Sequence, residues 1–315
     1  MTRMNRRSFL ELGAGAVALS KLGLHRQEAK PKLNRLRLSI TWGMMNRFPI
    51  PEANHQGQPV DARTKGRMII PAALAKLNEL GYDAYEMFDW RDPQTLELFV
   101  GERKKYPKLE CACIVANKGV KAPGCGLVNP KERDQFLKEM ELAVEAAKQV
   151  GCKRLVTLTG DEVPGLSREA MMESAIAGLK AVAPLLERHG LTAVVEILNT
   201  YVNHAGYFLY YVRDGAKLVD SVASPNVKLL FDIYHVQIME GNLIQNIRSN
   251  IQRIGHFHIG DVPGRHQPVT GEINYRNVFK AIYDLDFPGF AALEYGPTIP
   301  LLEDLANMRR MTTFD

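Results

Sequence analysis

Four acids and two histidines fall in or at the ends of short apolar runs, where a charged side chain needs a partner. Val194-Val195-Glu196, Leu230-Phe231-Asp232 and Ala292-Leu293-Glu294 each end in a carboxylate. A fourth acid, Glu86, lies inside Ala84-Tyr85-Glu86-Met87, and His256-Phe257-His258 places two imidazoles two residues apart. A carboxylate drawn out of water must be paired or hydrogen-bonded. One such acid reads as a salt bridge at a rim, but three that converge repel each other unless a cation sits among them. Glu196, Asp232, Glu294 and one imidazole make an oxygen-rich set with a single nitrogen. That set suits one divalent ion, Mn²⁺ or Mg²⁺ first and Co²⁺ after them. Zn²⁺ fits less well, because it favours sites richer in His or Cys. His258 is nearer the C-terminal end of its run and is the expected ligand. His256 faces the same side of a strand and is either a core histidine or a support behind the ligand. His235 follows Asp232 by three residues and is expected beside the ion.

Elements must exist that bring these residues together, and the chain alternates strand and helix throughout. Strand candidates cover 37–41, 84–88, 109–115, 154–157, 191–197, 227–231, 254–259 and 290–293. Helical periodicity covers 71–80, 93–105, 130–150, 167–189, 215–222, 242–250 and 275–285. Regular βα alternation implies a parallel sheet. Eight units in about 270 residues favour one closed (β/α)8 TIM barrel, whose active site lies at the C-terminal ends of the strands. The acids and histidines fall at or near those ends. No G-x-G-x-x-G follows the first strand and no P-loop occurs, so nucleotide-binding folds lose support. The expected organisation is a leader over 1–35, a barrel over 36–300 and a C-terminal extension over 301–315.

The net charge of +5 in 315 residues is concentrated at one end. Residues 1–35 carry eight Lys/Arg against Glu11 and Glu28, which leaves −1 for the other 280 residues. A body that is nearly neutral lacks the footprint of a nucleic-acid binder. Asn5-Arg6-Arg7-Ser8-Phe9-Leu10 precedes a short Gly/Ala-rich run and looks like a twin-arginine export signal. That predicts a periplasmic or exported protein, and a cytoplasmic one if the signal is not used. No stretch is apolar enough for a stable membrane span. The four cysteines form no CxxC pair, so neither a disulfide framework nor a cysteine zinc site is expected.

Several stretches resemble the hydroxypyruvate isomerase family of the xylose isomerase-like TIM barrels. They are Glu196-Ile-Leu-Asn-Thr-Tyr-Val-Asn-His204, Asp232-Ile-Tyr-His235, Asp261-Val-Pro-Gly-Arg265-His266-Gln-Pro with Gly271-Glu272-Ile-Asn-Tyr275, and Leu293-Glu294-Tyr295-Gly-Pro297. The half from Glu196 onward carries the specific likeness, and the first half matches at the level of the larger group. The resemblance implies that Glu196, Asp232, His258 and Glu294 hold one divalent ion, with Glu196 and Glu294 as the acid/base pair. It also implies that His235 and Arg265 touch substrate, a set to which Glu86 is added here. The expected reaction is isomerisation of a small sugar or hydroxy-keto acid through a metal-stabilised enediolate. Glu196 and Glu294 come from the fifth and eighth strands and can flank a substrate, while Arg265 would grip a carboxylate or hydroxyls as a planar fork. Three departures bear on the substrate. His258 stands where those isomerases usually show Gln and the ketose 3-epimerases show His. Gln267 stands where Glu is usual, and those isomerases usually lack an export signal. A ketose 3-epimerase is therefore the main alternative, and a non-catalytic sugar-binding barrel the next. An apurinic endonuclease would want more histidines at the strand ends and a basic surface. Homo-oligomerisation is left open.

Overall fold

A computed structural model describes residues 33–49, 61–117 and 126–314. The export-signal reading falls on residues 1–32 and lies outside the described residues. Eight strands form one parallel sheet: β1 Leu38–Ile40, β2 Ala84–Met87, β3 Glu110–Val115, β4 Arg154–Thr157, β5 Thr192–Glu196, β6 Val227–Asp232, β7 Ile254–Ile259 and β8 Ala291–Leu293. Their order is β1-β8-β7-β6-β5-β4-β3-β2. The seam between β1 and β2 is joined by Asp83 N–H donating to Leu38 O at 3.0 Å. Leu38 N–H answers onto Asp83 Oδ2 at 2.9 Å. The result is a nearly closed (β/α)8 barrel.

Helices follow the strands: α1 Trp42–Met45, α2 Ala62–Glu79, α3 Pro93–Glu102, α4 Arg133–Val150, α5 Arg168–His189, α6 Val212–Val222, α7 Ile233–Met239, α8 Leu243–Asn250, α9 Tyr275–Asp284 and α10 Leu301–Met311. Their ends follow local chemistry. Ser167 caps α5 through Ala170 N–H, Asp92 caps α3 through Thr95 N–H, and Gly151 and Gly190 close α4 and α5 in the left-handed conformation. The second helix starts nine residues before Pro71, where the pattern alone had begun it. Asp61 accepts from Arg63 and Thr64 N–H, and Ile69, Ile70, Ala73, Leu74 and Leu77 are buried along the helix, so the interior proline is carried within it. The segment read as a C-terminal extension holds α10, which buries Leu305 and Met308. Asn34 and Arg35, read as part of the leader, are tied to the barrel. Phe314 N–H donates to Asn34 O at 2.7 Å and Arg35 Nη2 to Asp83 Oδ1 at 2.8 Å.

Strand periodicity builds the barrel interior in layers. Cys113, Val156, Val194 and Leu230 form an apolar cluster. Two residues further along their strands, Val194 is followed by Glu196 and Leu230 by Asp232. On β7 the same step runs from His256 to His258. The polar groups are thereby raised to the C-terminal mouth, above an apolar floor. Among the described residues no helix is long and apolar enough to cross a membrane.

Candidate active site

Glu196, Asp232, His258 and Glu294 each offer a ligand atom, and these atoms all lie within 4.8 Å of one another. Glu196 ends β5, Asp232 ends β6, His258 lies on β7 and Glu294 follows β8. His258 Nδ1 is the hub: it stands 2.6 Å from Glu294 Oε2, 3.3 Å from Glu196 Oε1 and 3.9 Å from Asp232 Oδ2. Asp232 serves two elements at once. Its Oδ1 accepts from Tyr234 N–H (2.8 Å) and His235 N–H (3.2 Å), capping α7, which leaves Oδ2 turned to the cluster.

Arg265, on the loop after β7, reaches into the same group. Its Nη2 donates to Asp232 Oδ2 at 2.6 Å and to Glu294 Oε2 at 2.7 Å. The Arg265 guanidinium, together with the His258 ring, which the surrounding carboxylates hold well above the usual imidazole range against its burial, offsets part of the charge of three carboxylates. The donor set also fits a metal ion: both ring nitrogens of His258 are buried, and neither completes a hydrogen bond despite the short approaches. Three carboxylates around one imidazole nitrogen are a hard-cation set.

The two glutamates are biased in opposite directions. Burial, with Glu294 and Asp232 adding repulsion, lifts the Glu196 carboxyl to about 7 against the pull of His258. Glu294 is held well below the usual carboxylate range, because Arg265 and His258 beside it outweigh its burial. Burial also raises Asp232, with Arg265 opposing. Glu294 is the more open of the pair, with 24% of its side chain exposed against 10% for Glu196.

His235 is buried at the start of α7. Its Nδ1 accepts from Asn199 N–H at 3.1 Å and lies 2.6 Å from Asn199 Nδ2. The proton therefore sits on Nε2, which has no hydrogen-bond partner and lies 3.5 Å from Asp232 Oδ2. Burial drives the ring well below the ordinary imidazole range, so His235 is a neutral donor beside the cluster. Glu86, expected among the substrate contacts, is fully buried and lies below the others against His256 and His258.

Two residues that matter were not singled out from the sequence. Asn199 sets the His235 tautomer, and its only signal was its place three residues after Glu196. Arg47, after α1, lines a cleft of about 500 Å³ with Trp42, Phe88, Arg265, His266 and Glu294. Its Nη2 would lie 3.1 Å from a Cβ added at Gly296, so the guanidinium rests against the backbone that follows Glu294. The Arg47 side chain makes no hydrogen bond or ion pair with any described residue; only its backbone N–H is engaged, with Met44 O at 3.0 Å.

This fold and this cluster at the C-terminal mouth define a class, and residues 74–311 match the family model described as a xylose isomerase-like TIM barrel. The chain belongs to that family. The curated relatives it matches carry isomerase names. A human protein provisionally named a hydroxypyruvate isomerase is 35% identical over 76% of this chain and 88% of its own. A zebrafish protein of the same provisional name is 35% identical, over 53% of this chain and 63% of its own. A 2-oxo-tetronate isomerase from Pectobacterium atrosepticum is 32% identical, over 53% of this chain and 64% of its own. For these last two, the chain matches just under two thirds of the relative's length. Among solved structures, a family 2 AP endonuclease from Brucella melitensis superposes with a TM-score of 0.71 and 27% identity, over 87% of this chain and 98% of that one.

Proposed function

We propose that this isomerase moves a proton between neighbouring carbons of a small hydroxy-keto acid, with Glu196 and Glu294 as the acid/base pair around a divalent ion. The observation that carries this reading is the shared approach of the two glutamates to His258 Nδ1 with opposite proton affinities. Environments that push two carboxyls apart are how one site runs acid and base chemistry together. Glu196, poised near neutrality, holds or releases a proton at Oε1. Glu294, ionised and open to the mouth, is the group that meets substrate from the cleft. His235 Nε2–H donates to a substrate oxygen from the Asp232 side. Arg265 orients the same oxygens, holds Glu294 charged and opposes the burial that raises Asp232.

Glu196, Asp232, His258 and Glu294 would hold the ion, with Mn²⁺ or Mg²⁺ suited to the donors, and it would supply Lewis-acid polarisation of a carbonyl oxygen. The cleft supports an anionic substrate. Arg47 is a cation there whose side chain has no partner among the described residues, and Arg265 and His266 line the same cleft. A carboxylate is the group that a guanidinium fork binds best. The names of the relatives, hydroxypyruvate and 2-oxo-tetronate isomerase, agree with such a compound.

The test is incubation of the Mn²⁺-loaded protein with hydroxypyruvate, a 2-oxo-tetronate and a panel of neutral ketoses in D₂O. Deuterium at the carbon next to the carbonyl, with a moved carbonyl, is the expected result for the acids. Inversion of a carbon without carbonyl movement would favour a ketose 3-epimerase, the reading that His258 supports. No exchange with any compound would point to a non-catalytic barrel.

A further inference from the structure

Below the ion-binding cluster lies a second set of polar groups inside an otherwise apolar layer. Glu86 Oε1 accepts from His256 Nε2 at 2.6 Å, and Glu86 Oε2 lies 3.3 Å from His258 Nε2, an ion-pair approach in which neither atom completes a hydrogen bond with any other described group. Glu86 and His256 have no exposed surface and His258 has 2%. The contact runs across the barrel interior, since β1 and β8 stand between β2 and β7 around the ring. Glu86 has no exposed surface and meets the cluster only through His258, so its effect is exerted through that ring.

We propose that Glu86 is a positioning residue that fixes the tautomer of His258, with His256 holding Glu86 in place. An ionised carboxylate only accepts hydrogen bonds. Glu86 facing Nε2 therefore favours the proton on that nitrogen. Without an ion, Glu294 Oε2 at 2.6 Å draws a second proton to Nδ1; an ion bound by Glu196, Asp232 and Glu294 would displace that proton and take the Nδ1 lone pair, while Glu86 keeps the proton on Nε2. A carboxylate behind a ligating imidazole orients the ring and raises its basicity. Glu86 needs its own anchor, because an acid in this layer would otherwise be unpaired. His256 Nε2–H is that anchor. His256 Nδ1 has no partner, so the ring is spent on this one contact. The two histidines two residues apart on β7 thus have different work: one presents a lone pair upward, the other steadies the carboxylate that makes this possible.

This inference rests on the proposed ion site, and the experiment separates the two. Mn²⁺ affinity of the full chain is measured by calorimetry for wild type, Glu86→Gln, His256→Gln and His256→Phe. Glu86→Gln keeps the volume but removes the obligate acceptor, and is expected to weaken Mn²⁺ binding by about 10–100-fold. His256→Phe should fall likewise, while His256→Gln, which keeps an N–H donor, should stay within about threefold of wild type, as rescue of a hydrogen bond requires. Wild-type affinity in Glu86→Gln overturns the proposal. If wild type binds no Mn²⁺, the ion site itself falls. The pair is then judged in the ion-free protein from the His258 Nε2–H proton resonance. A downfield resonance that moves back in Glu86→Gln upholds the pairing, and one that does not move overturns it. The same resonance in wild type decides the matter if the variants do not fold: a signal at the position of a solvent-exposed imidazole N–H overturns the pairing, and a downfield one upholds it.

Discussion

Glu196→Gln should stabilise the ion-free protein while removing its activity. The side chain is 10% exposed and its carboxyl is raised to about 7. Below the ordinary carboxyl range both folded and unfolded chains hold the proton, and the residue is neutral to stability. As pH rises from about 4.5 to about 7, the unfolded chain releases the proton first, so stability falls across that window. Above it, a displacement from about 4.5 to about 7 amounts to a cost of about 3 kcal/mol, at 1.36 kcal/mol per pH unit. Glutamine carries no charge and avoids this cost. The backbone should not shift, because Tyr207 OH donates to the Glu196 main-chain oxygen at 3.0 Å and accepts from Thr159 N–H at 2.9 Å whatever the side chain. Urea unfolding in chelator should therefore show Glu196→Gln equal to wild type at pH 4.5 and more stable at pH 8, by up to about 3 kcal/mol. A thousandfold excess of Mn²⁺ over Kd should reverse the order, since wild type then gains about 4.1 kcal/mol, more than that cost. Turnover should fall by about 10²–10⁴-fold, the usual share of a general acid/base. Near-normal turnover would refute the catalytic role. A less stable ion-free variant at pH 8 would refute the electrostatic reasoning.

The remaining sites have their own readouts. Glu294→Gln should lose product formation by about 10²–10⁴-fold, and continued exchange of the substrate proton with solvent would place Glu196 as the group that removes it. Asp232→Asn and His258→Ala should each lose metal content together with activity, and full occupancy by elemental analysis would remove either from the ligand set. Arg47→Gln should raise KM about tenfold for an anionic substrate, the low end for a hydrogen bond to a charged group, and leave a neutral ketose unaffected; equal effects on both would reject an anion subsite. Truncation after Lys32 should leave folding and turnover intact, whereas truncation after Arg35 should lower Tm by removing the Arg35–Asp83 pair.

The chain's pattern reveals its layers well and its cross-barrel contacts poorly. Glu196, Asp232 and Glu294 could be picked out because each ends an apolar run, and eight βα units leave one place for such ends to meet. Boundaries suffered where one local signal was outvoted by burial. Pro71 looked like a first turn, but a buried face reaching from Ile69 to Leu77 carries it inside α2. Helix α7 is seven residues long, too short for periodicity to show, and it exists because Asp232 caps it. The strand β3 makes a subtler case. Residues two apart on a regular strand share a face, but the register shift between Tyr85 and Glu86 pairs them with Cys111 and Cys113. Cys113 accordingly joins the interior with Val156 and Val194, while Cys111 packs in the cluster that includes the helices.

The residues left unassigned share one physical property, which is that their partners lie far away along the chain. Glu86 is 170 positions from His256, and nothing in Ala84-Tyr85-Glu86-Met87 distinguishes a substrate contact from a carboxylate that steadies a ring. Only closure of the barrel decides it, by putting β2 across from β7 and His258 between Glu86 and the mouth. Asn199 and His235 are 36 apart, and the tautomer of His235 follows from a backbone N–H that only the β5 loop can supply. Arg47 sits in Met45-Asn46-Arg47-Phe48 with no pattern around it; it gains meaning from resting against Gly296, across the cleft from its own strand. The groups expected to touch the ion directly are strand-end residues, set by a period of two within one strand. The groups that orient them are set by the ring. In such a barrel the strand ends mark the ligands, whereas the supporting hydrogen bonds follow only from the order of strands.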